Sequence, residues 1–381
     1  MPTLRPVPEI AIGEGRIDGL ADDVVALAPK ARAVLVIADP GLASAGVLQP
    51  VLYGLSGRSW RTVLFDGLAG EPTAEQIDGA AAMARTEAAD LVVGIGGGSA
   101  LDVAKMVGAV VPGSGGAEQY QFCAKPFLGV SLPVICVPTT AGTGSETTIT
   151  AVFTNSCGKK AWAWGPELRA AKAILDPALT RTLPPHLVAA TGIDALVHAI
   201  EAATNSNRFA ANDAACHAAI RLICQHLPAA VREPENTEAR EGMLVAACLA
   251  GIGINNAGTA MAHVIAHALG TLGKVHHGRA AGLGLAASLP WSIAAGEPAF
   301  AAVAEAMGGP KDAAALPGLV DALIAEVGLK AGITDELPGL TAERLAAEMA
   351  APENAAMRAS ASRPSNEADL LHMARVVLTA K

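Results

Sequence analysis

Positive charge is scarce in this 381-residue chain: 27 Lys and Arg stand against 36 Asp and Glu, for a formal net charge of −9. Phosphate backbones call for a basic surface, so this balance argues against nucleic acid as a partner. No Lys/Arg cluster of the nuclear-signal or polybasic membrane type occurs. Cysteine is sparse as well. Cys123, Cys136, Cys157, Cys216, Cys224 and Cys248 form no CxxC pair, which argues against a disulfide framework and predicts core thiols in a reducing cytoplasm. Met1 to Glu9 is polar and proline-rich and has no apolar stretch of the kind a secretory signal needs. Two weakly charged runs raise the membrane question, Met243 to Gly273 and Ala280 to Gly296. The first contains Asn255, Asn256 and two His; the second is broken by Ser288 and Pro290. A membrane span wants about 20 predominantly apolar residues, and polar groups at mid-depth are costly. Both runs are therefore expected to be buried helices of a soluble protein.

What the chain does contain is 51% hydrophobic residues, enough for large cores and, at this length, for two domains. Four short apolar runs stand out: Ala33–Ala38, Arg61–Phe65, Leu91–Ile95 and Val134–Val137. Unbroken runs of this kind predict strands buried on both faces, hence a parallel sheet. A helix is predicted from Thr73 to Glu87, with Thr73 as N-cap and Glu75 in the first turn. The alternation gives an open α/β sheet with crossover helices. Near residue 180 the character changes, at Asp176-Pro177 and Leu183-Pro184-Pro185. From there the chain reads as helix after helix. The expected division is residues 1–180 as an α/β dinucleotide-binding domain and residues 181–381 as an all-helical domain for metal and substrate.

Two turns follow strand runs. Gly94-Ile95-Gly96-Gly97-Gly98-Ser99 precedes a helix-like segment, and glycines before a helix N-terminus let backbone N–H groups approach a phosphate. The spacing is not that of the usual dinucleotide fingerprint. Pro138-Thr139-Thr140-Ala141-Gly142-Thr143-Gly144-Ser145-Glu146 brings hydroxyls to the same kind of position, where phosphate, ribose or nicotinamide amide could be bonded; a self-satisfied turn is the alternative. Asp39 ends the first strong strand, where a carboxylate suits a ribose 2′-hydroxyl and repels a 2′-phosphate. An Asp before Pro40 also serves as a simple turn cap.

The remaining signal is a set of metal-type ligands. Asp194 and His198 are four residues apart in an Ala/Leu/Ile-rich segment, so they share one helical face. His263 and His267 repeat that spacing, and His276-His277-Gly278 follows. One carboxylate and several imidazoles suit Fe, Zn, Ni or Cu. Spacing does not choose among the downstream histidines.

These motifs together resemble the iron-containing (group III) alcohol dehydrogenases. Gly94–Lys105 is similar to that family's GGGSxxDxAK motif, Pro138–Glu146 to PTTxGTGSE, Gly192–Glu201 to GxDALxHAxE, and Met261–Gly278 to HxxxHxLG…PHG. Ala173–Pro177 resembles the segment that precedes the family's helical domain. The resemblance implies a Rossmann-like α/β domain followed by an all-α domain, the fold shared with dehydroquinate synthase. It implies Asp194, His198, His263 and His277 as metal ligands and His267 as a nearby proton-relay group. Gly96, Gly97, Gly98 and Ser99 would hold the cofactor diphosphate, with Thr139, Thr140 and Ser145 on the nicotinamide side. Asp39 implies NAD in preference to NADP. The metal would be Fe(II), with Zn(II) as the alternative. The substrate would be a small alcohol or aldehyde, or a hydroxy or keto acid, and the enzyme a cytoplasmic homodimer without membrane or nucleic-acid partners. Maleylacetate-reductase-like and dehydroquinate-synthase-like chemistry are the neighbouring readings. Both want a basic group for an anionic substrate, and near the histidines the chain offers Lys274 and Arg279. The chain departs from the pattern at His276, where Pro is common, at Ala268, also commonly Pro, and at Arg279, usually apolar.

Overall fold

A computed structural model describes residues 3–56, 58–273, 275–296, 298–333 and 335–380. They form two compact units. The first takes in Pro6–Thr140 and Ser145–Leu183; the second is built on Pro184–Lys381 and includes the loop Ala141–Gly144.

Eight strands lie in the first unit: β1 (Glu9–Ile12), β2 (Ala33–Ala38), β3 (Arg61–Phe65), β4 (Leu91–Gly96), β5 (Val134–Pro138), β6 (Thr150–Thr154), β7 (Lys160–Trp164) and β8 (Lys172–Leu175). Six of them form one sheet in the order β1-β8-β5-β4-β2-β3, with every pair parallel. The four apolar runs of the sequence are β2 to β5. Every residue of β2, β4 and β5 is buried, because side chains alternate between two cores. Leu35, Ile37, Val92 and Cys136 join one; Val34, Val36, Val93 and Ile135 join the other. Four strands were not apparent as apolar runs. β6 and β7 form a separate antiparallel hairpin, and β1 and β8 are four-residue strands.

Helix α1 (Ala74–Thr86) starts at Thr73, whose side chain accepts from the Gln76 N–H while Gln76 answers the Thr73 N–H, a reciprocal cap. Helix α2 (Gly98–Val110) follows β4 directly. Its residues Asp102 and Lys105 explain a part of the glycine-rich motif that the sequence left without a role. Lys105 is fully buried; its Nζ donates to the Ser145 carbonyl at 2.9 Å and to Thr148 Oγ1 at 3.1 Å, and pairs with Asp102 at 3.1 Å. Asp102 in turn accepts from Ser145 Oγ at 2.5 Å and from the Val152 N–H at 2.8 Å. The pair ties α2 to the chain between Ser145 and Val152. Glu146, in the same segment, is buried, and burial pushes its carboxyl up to about 7 against the opposing pull of its own backbone bond and Lys105.

Beyond β8 no strand occurs among the described residues. The second unit is helical: α3 (Pro185–Thr204), α4 (Ala210–Arg232), α5 (Thr237–Ala257), α6 (Met261–Leu272) and α7 (His277–Ile293) are its principal elements. The run Met243 to Gly273 is α5 and α6, bent by 100° at Gly258–Ala260. Among the described residues one helix, α3, is long and apolar enough to cross a membrane, and most of it is buried within the protein. All six cysteines are free; Cys136, Cys216 and Cys248 are the expected core thiols, whereas Cys224 is partly buried and Cys123 and Cys157 are exposed.

Replacing Lys105 by Met removes the cation from the largely buried Asp102 carboxylate and from the carbonyls of Ser145, Thr148 and Thr150. Breaking a buried pair on one side costs about 3–5 kcal/mol. The denaturation midpoint of Lys105→Met should fall accordingly; an unchanged midpoint would mean that the Asp102–Lys105 tie is not what fixes this segment.

Candidate functional site

In the first unit the register brings three strand ends together. Ala38 pairs with Ile95 and Gly96 with Pro138; the Asp39 N–H donates to the Ile95 carbonyl and the Thr139 N–H to that of Gly96. Asp39, the glycine turn and Thr139–Thr140 therefore stand side by side at the carboxyl edge of β2, β4 and β5. The strand order reverses between β2 and β4, and open α/β sheets take their ligands at such a switch point. Gly96 has φ +150°, and a β-carbon there would lie 2.8 Å from Ala100 Cβ and 3.1 Å from Asp39 Cβ. Gly97 caps α2 without a side chain, leaving the first N–H groups of the helix uncapped by side chains. Gly97, Gly98 and Ser99 are half-buried. A bare helix N-terminus behind a turn that excludes side chains fits a diphosphate. Asp39 uses Oδ1 to accept from the Gly41 N–H at 2.8 Å, so it caps its own turn with one of its two oxygens. The Ser145 hydroxyl is bonded to Asp102, unlike Thr139 and Thr140, which sit at the sheet edge.

In the second unit the dispersed histidines converge on one carboxylate. Asp194 Oδ1 faces three imidazole nitrogens: His263 Nε2 at 3.7 Å, His277 Nε2 at 3.8 Å and His198 Nε2 at 4.0 Å. Candidate ligand atoms of Asp194, His263 and His277 all lie within 4.8 Å of one another. The His198 ring stacks on that of His263 with centroids 4.6 Å apart. The residues are buried except His277, which is partly exposed. Asp194 Oδ1 and His263 Nε2 are buried and have no hydrogen-bond partner. Ligand atoms of a tetrahedral site with bonds of about 2.1 Å sit about 3.4 Å apart. The three carboxylate-to-imidazole distances are slightly longer than that spacing, and a donor set of one carboxylate and three imidazoles suits Fe(II) or Zn(II).

Local packing explains the convergence. Asp194 and His198 are one turn apart on α3. Gly278 has no room for a β-carbon, which would run into the Ala190 carbonyl and lie 3.1 Å from Asp194 Cβ. The first turn of α7 can therefore press flush onto α3, and His277 begins that turn. His276 is the exposed residue before it, so His277 and not His276 stands in the cluster. His267, one turn after His263, is partly buried, with its ring centroid 5.8 Å from that of His277.

Glu201, the last residue of the GxDALxHAxE segment, proves central although sequence reasoning gave it no role. It is buried and accepts from His263 Nδ1 at 2.6 Å, from the Ala262 N–H at 2.6 Å and from the Ala260 N–H at 2.8 Å. A carboxylate only accepts here, so Nδ1 carries the proton and Nε2 is turned to Asp194. Such an outer carboxylate orients a ligating imidazole and raises its basicity. The position of Glu201, one turn after His198 on a helix expected to carry ligands, was the available signal. In the metal-free protein burial alone would lower the His263 pKa, but the charges of Glu201 and Asp194 and the bond to Glu201 raise it to about 9. Burial alone would raise the Asp194 carboxyl; His198, His277 and His263 outweigh it and hold it far below the usual range. Burial lowers the His198 pKa against the nearby carboxylates.

Residues 7–177 match the family model described as iron-containing alcohol dehydrogenase, and residues 188–375 that of the Fe-containing alcohol dehydrogenase family, C-terminal. The chain is 38% identical over 269 residues to long-chain-alcohol dehydrogenase 1 of Geobacillus thermodenitrificans, covering 70% of this chain and 67% of that protein. It is 33% identical over 305 residues to the NAD-dependent methanol dehydrogenase of Bacillus methanolicus, covering 79% and 78%. Among solved structures, sulfoacetaldehyde reductase from Bifidobacterium kashiwanohense in complex with NAD+ superposes with a TM-score of 0.90 at 28% identity, covering 100% of this chain and 99% of that one.

Metal binding must displace the proton that His263 holds below about pH 9 in the metal-free protein. Zn(II) affinity should therefore rise with pH through neutrality, with uptake of the ion releasing about one proton at this residue. Glu201→Gln removes the charge that holds that proton. It should weaken Zn(II) binding about 10–100-fold and flatten the pH dependence above neutrality. Chelator competition between pH 6 and 9, as a rough working range, measures both, and an unaltered curve would detach Glu201 from the site.

Proposed function

This chain belongs to the iron-containing alcohol dehydrogenase family, and on that premise we propose how its residues divide the transfer of a hydride between NAD(H) and an alcohol or aldehyde. The enzyme is a metal-dependent oxidoreductase. Asp194, His198, His263 and His277 would hold the metal. When bound, the divalent ion supplies Lewis acidity to the substrate oxygen and the nicotinamide supplies or accepts the hydride. The remaining work belongs to the chain. Glu201 would hold the proton of the metal-bound ring on His263 Nδ1 and so aim Nε2. Gly96, Gly97, Gly98 and Ser99 would take the cofactor diphosphate on the N-terminus of α2, Thr139 and Thr140 would line the nicotinamide side, and Asp39 would meet the adenosine ribose. Ser145 would act from behind, through Asp102. His267, partly exposed one turn beyond His263, would pass the alcohol proton to solvent, since imidazole titrates near neutrality. In this reading residues 1–180 bind the dinucleotide and residues 181–381 the metal and substrate. The observation that carries it is the convergence of three Nε2 atoms on the unpartnered Asp194 Oδ1.

Arg279 bears on the substrate. Its guanidinium donates to the carbonyls of Lys330 and Gly332 and to Glu336, so it is engaged within the fold. Lys274 lies outside the described residues. The engagement of Arg279 supports a small neutral alcohol or aldehyde over the anionic substrates of the maleylacetate-reductase-like and dehydroquinate-synthase-like readings. The family resemblance supports a homodimer in the cytoplasm, which sedimentation and cell fractionation would test.

Stripping the metal with a chelator should abolish NADH-dependent reduction of short aldehydes, and Fe(II) or Zn(II) should restore it; full turnover by the metal-free protein would overturn the assignment. In the same assay Asp39→Gly should shift the NADH-to-NADPH preference towards NADPH by about tenfold, a change of about 1.4 kcal/mol, and an unchanged ratio would remove Asp39 from the ribose.

A further inference from the structure

We propose that Arg279 is a positioning residue for the metal site: it clamps a distal segment of the chain onto the first turn of α7 and thereby fixes His277. The inference rests on the reading of His277 as a metal ligand.

His277 is the first residue of α7 and the least buried of the four candidate ligands. The first N–H groups of a helix have no partner inside it, so an opening turn is held by fewer bonds than the interior, here beginning with the Ala280 N–H donating to the His276 carbonyl at 2.9 Å. Arg279 lies two residues on, with its side chain 12% exposed. Its Nε donates to the Lys330 carbonyl at 2.8 Å and Nη1 to Glu336 Oε1 at 2.7 Å, while Nη2 donates to the Gly332 carbonyl. Lys330 Nζ also lies 3.7 Å from Glu336 Oε1. The planar fork of arginine meets three acceptors in fixed directions, which lysine cannot do. The clamped segment has its own seat. Ile333 is 1% exposed, and Leu337 packs closely on Gly273, its Cδ2 lying against the place where a β-carbon would stand. The segment therefore bears on the end of α6 and on the start of α7, the two ends of the turn that delivers His277. A charged side chain at 279 departs from the family's usual apolar residue, and these contacts give it a purpose in this chain.

The test compares Arg279→Leu, Arg279→Lys, Glu336→Gln and His277→Ala in the full-length protein, with Zn(II) as the probe in chelator competition and Co(II) spectra as the geometric readout. Arg279→Leu should raise the Zn(II) dissociation constant about 10–100-fold, the range for residues that orient a ligand, and alter the Co(II) spectrum; Arg279→Lys should not rescue it. A purely structural clamp would lower the melting temperature of metal-free and metal-loaded protein alike and leave the Zn(II) constant within about twofold, a shift of about 0.4 kcal/mol; that result overturns the proposal. Should Arg279→Leu fail to fold, Glu336→Gln keeps the two carbonyl bonds and should still weaken Zn(II) binding; an unchanged constant there overturns it too. If His277→Ala leaves Zn(II) binding intact, the metal-site reading itself fails. If His277→Ala weakens binding and the clamp variants do not, only this inference fails.

Discussion

The short bond between Glu201 and His263 is the contact on which the second unit's chemistry depends. One buried carboxylate sets the tautomer of a central imidazole and also supplies the acceptors for the N–H groups of Ala260 and Ala262 where α6 begins. The helix start and the ligand orientation are thus fixed by the same two oxygens. Neither task could be moved to a neutral side chain without loss: an amide presents one acceptor oxygen, and it does not raise imidazole basicity as a carboxylate does. The carboxylate tolerates burial because each oxygen has donors at short range.

Around that contact the metal-type cluster leaves buried hydrogen-bonding capacity unused. Asp194 is buried with an oxygen that has no hydrogen-bond partner, and three imidazoles approach it. Left so, the arrangement is costly, since buried polar groups are ordinarily paired. A cation resolves the conflict at once. The first unit shows a quieter version of the same logic: Lys105 has no access to water, yet every carbonyl and carboxylate around it gains from its charge.

How much of this was legible in the sequence follows from which forces leave local marks. The strands β2, β4 and β5 are buried on both faces and so read as unbroken apolar runs; β3 is the edge strand of the sheet and is only partly buried, contrary to the expectation for Arg61–Phe65. β6 and β7 alternate buried with partly buried residues, and the search for continuous runs passes over them. β1 and β8 are short, and their identity as strands comes from pairing with each other along Glu9–Ile12 and Lys172–Leu175, a non-local fact. The helical spacing of Asp194 with His198 was visible because it is local. The choice of His277 over His276 came from the family resemblance and not from spacing, because in the fold it depends on Gly278 meeting α3. Glu201 and Arg279 escaped for the same reason: both act through partners about 50–60 residues away, as the bonds to His263 and Lys330 show, and no periodicity encodes a contact of that range.

The loop Ala141–Gly144 has a consequence for the topology of the molecule. The polypeptide changes from one compact unit to the other four times, after Arg5, Thr140, Gly144 and Leu183. Gly142 is packed against Thr191, and Gly144, at φ +61°, against Gly251 and the Ala247 carbonyl. The units are therefore stitched rather than strung. No single cut releases two self-sufficient fragments: a piece ending at Leu183 would carry away a loop whose neighbours remain in the other piece.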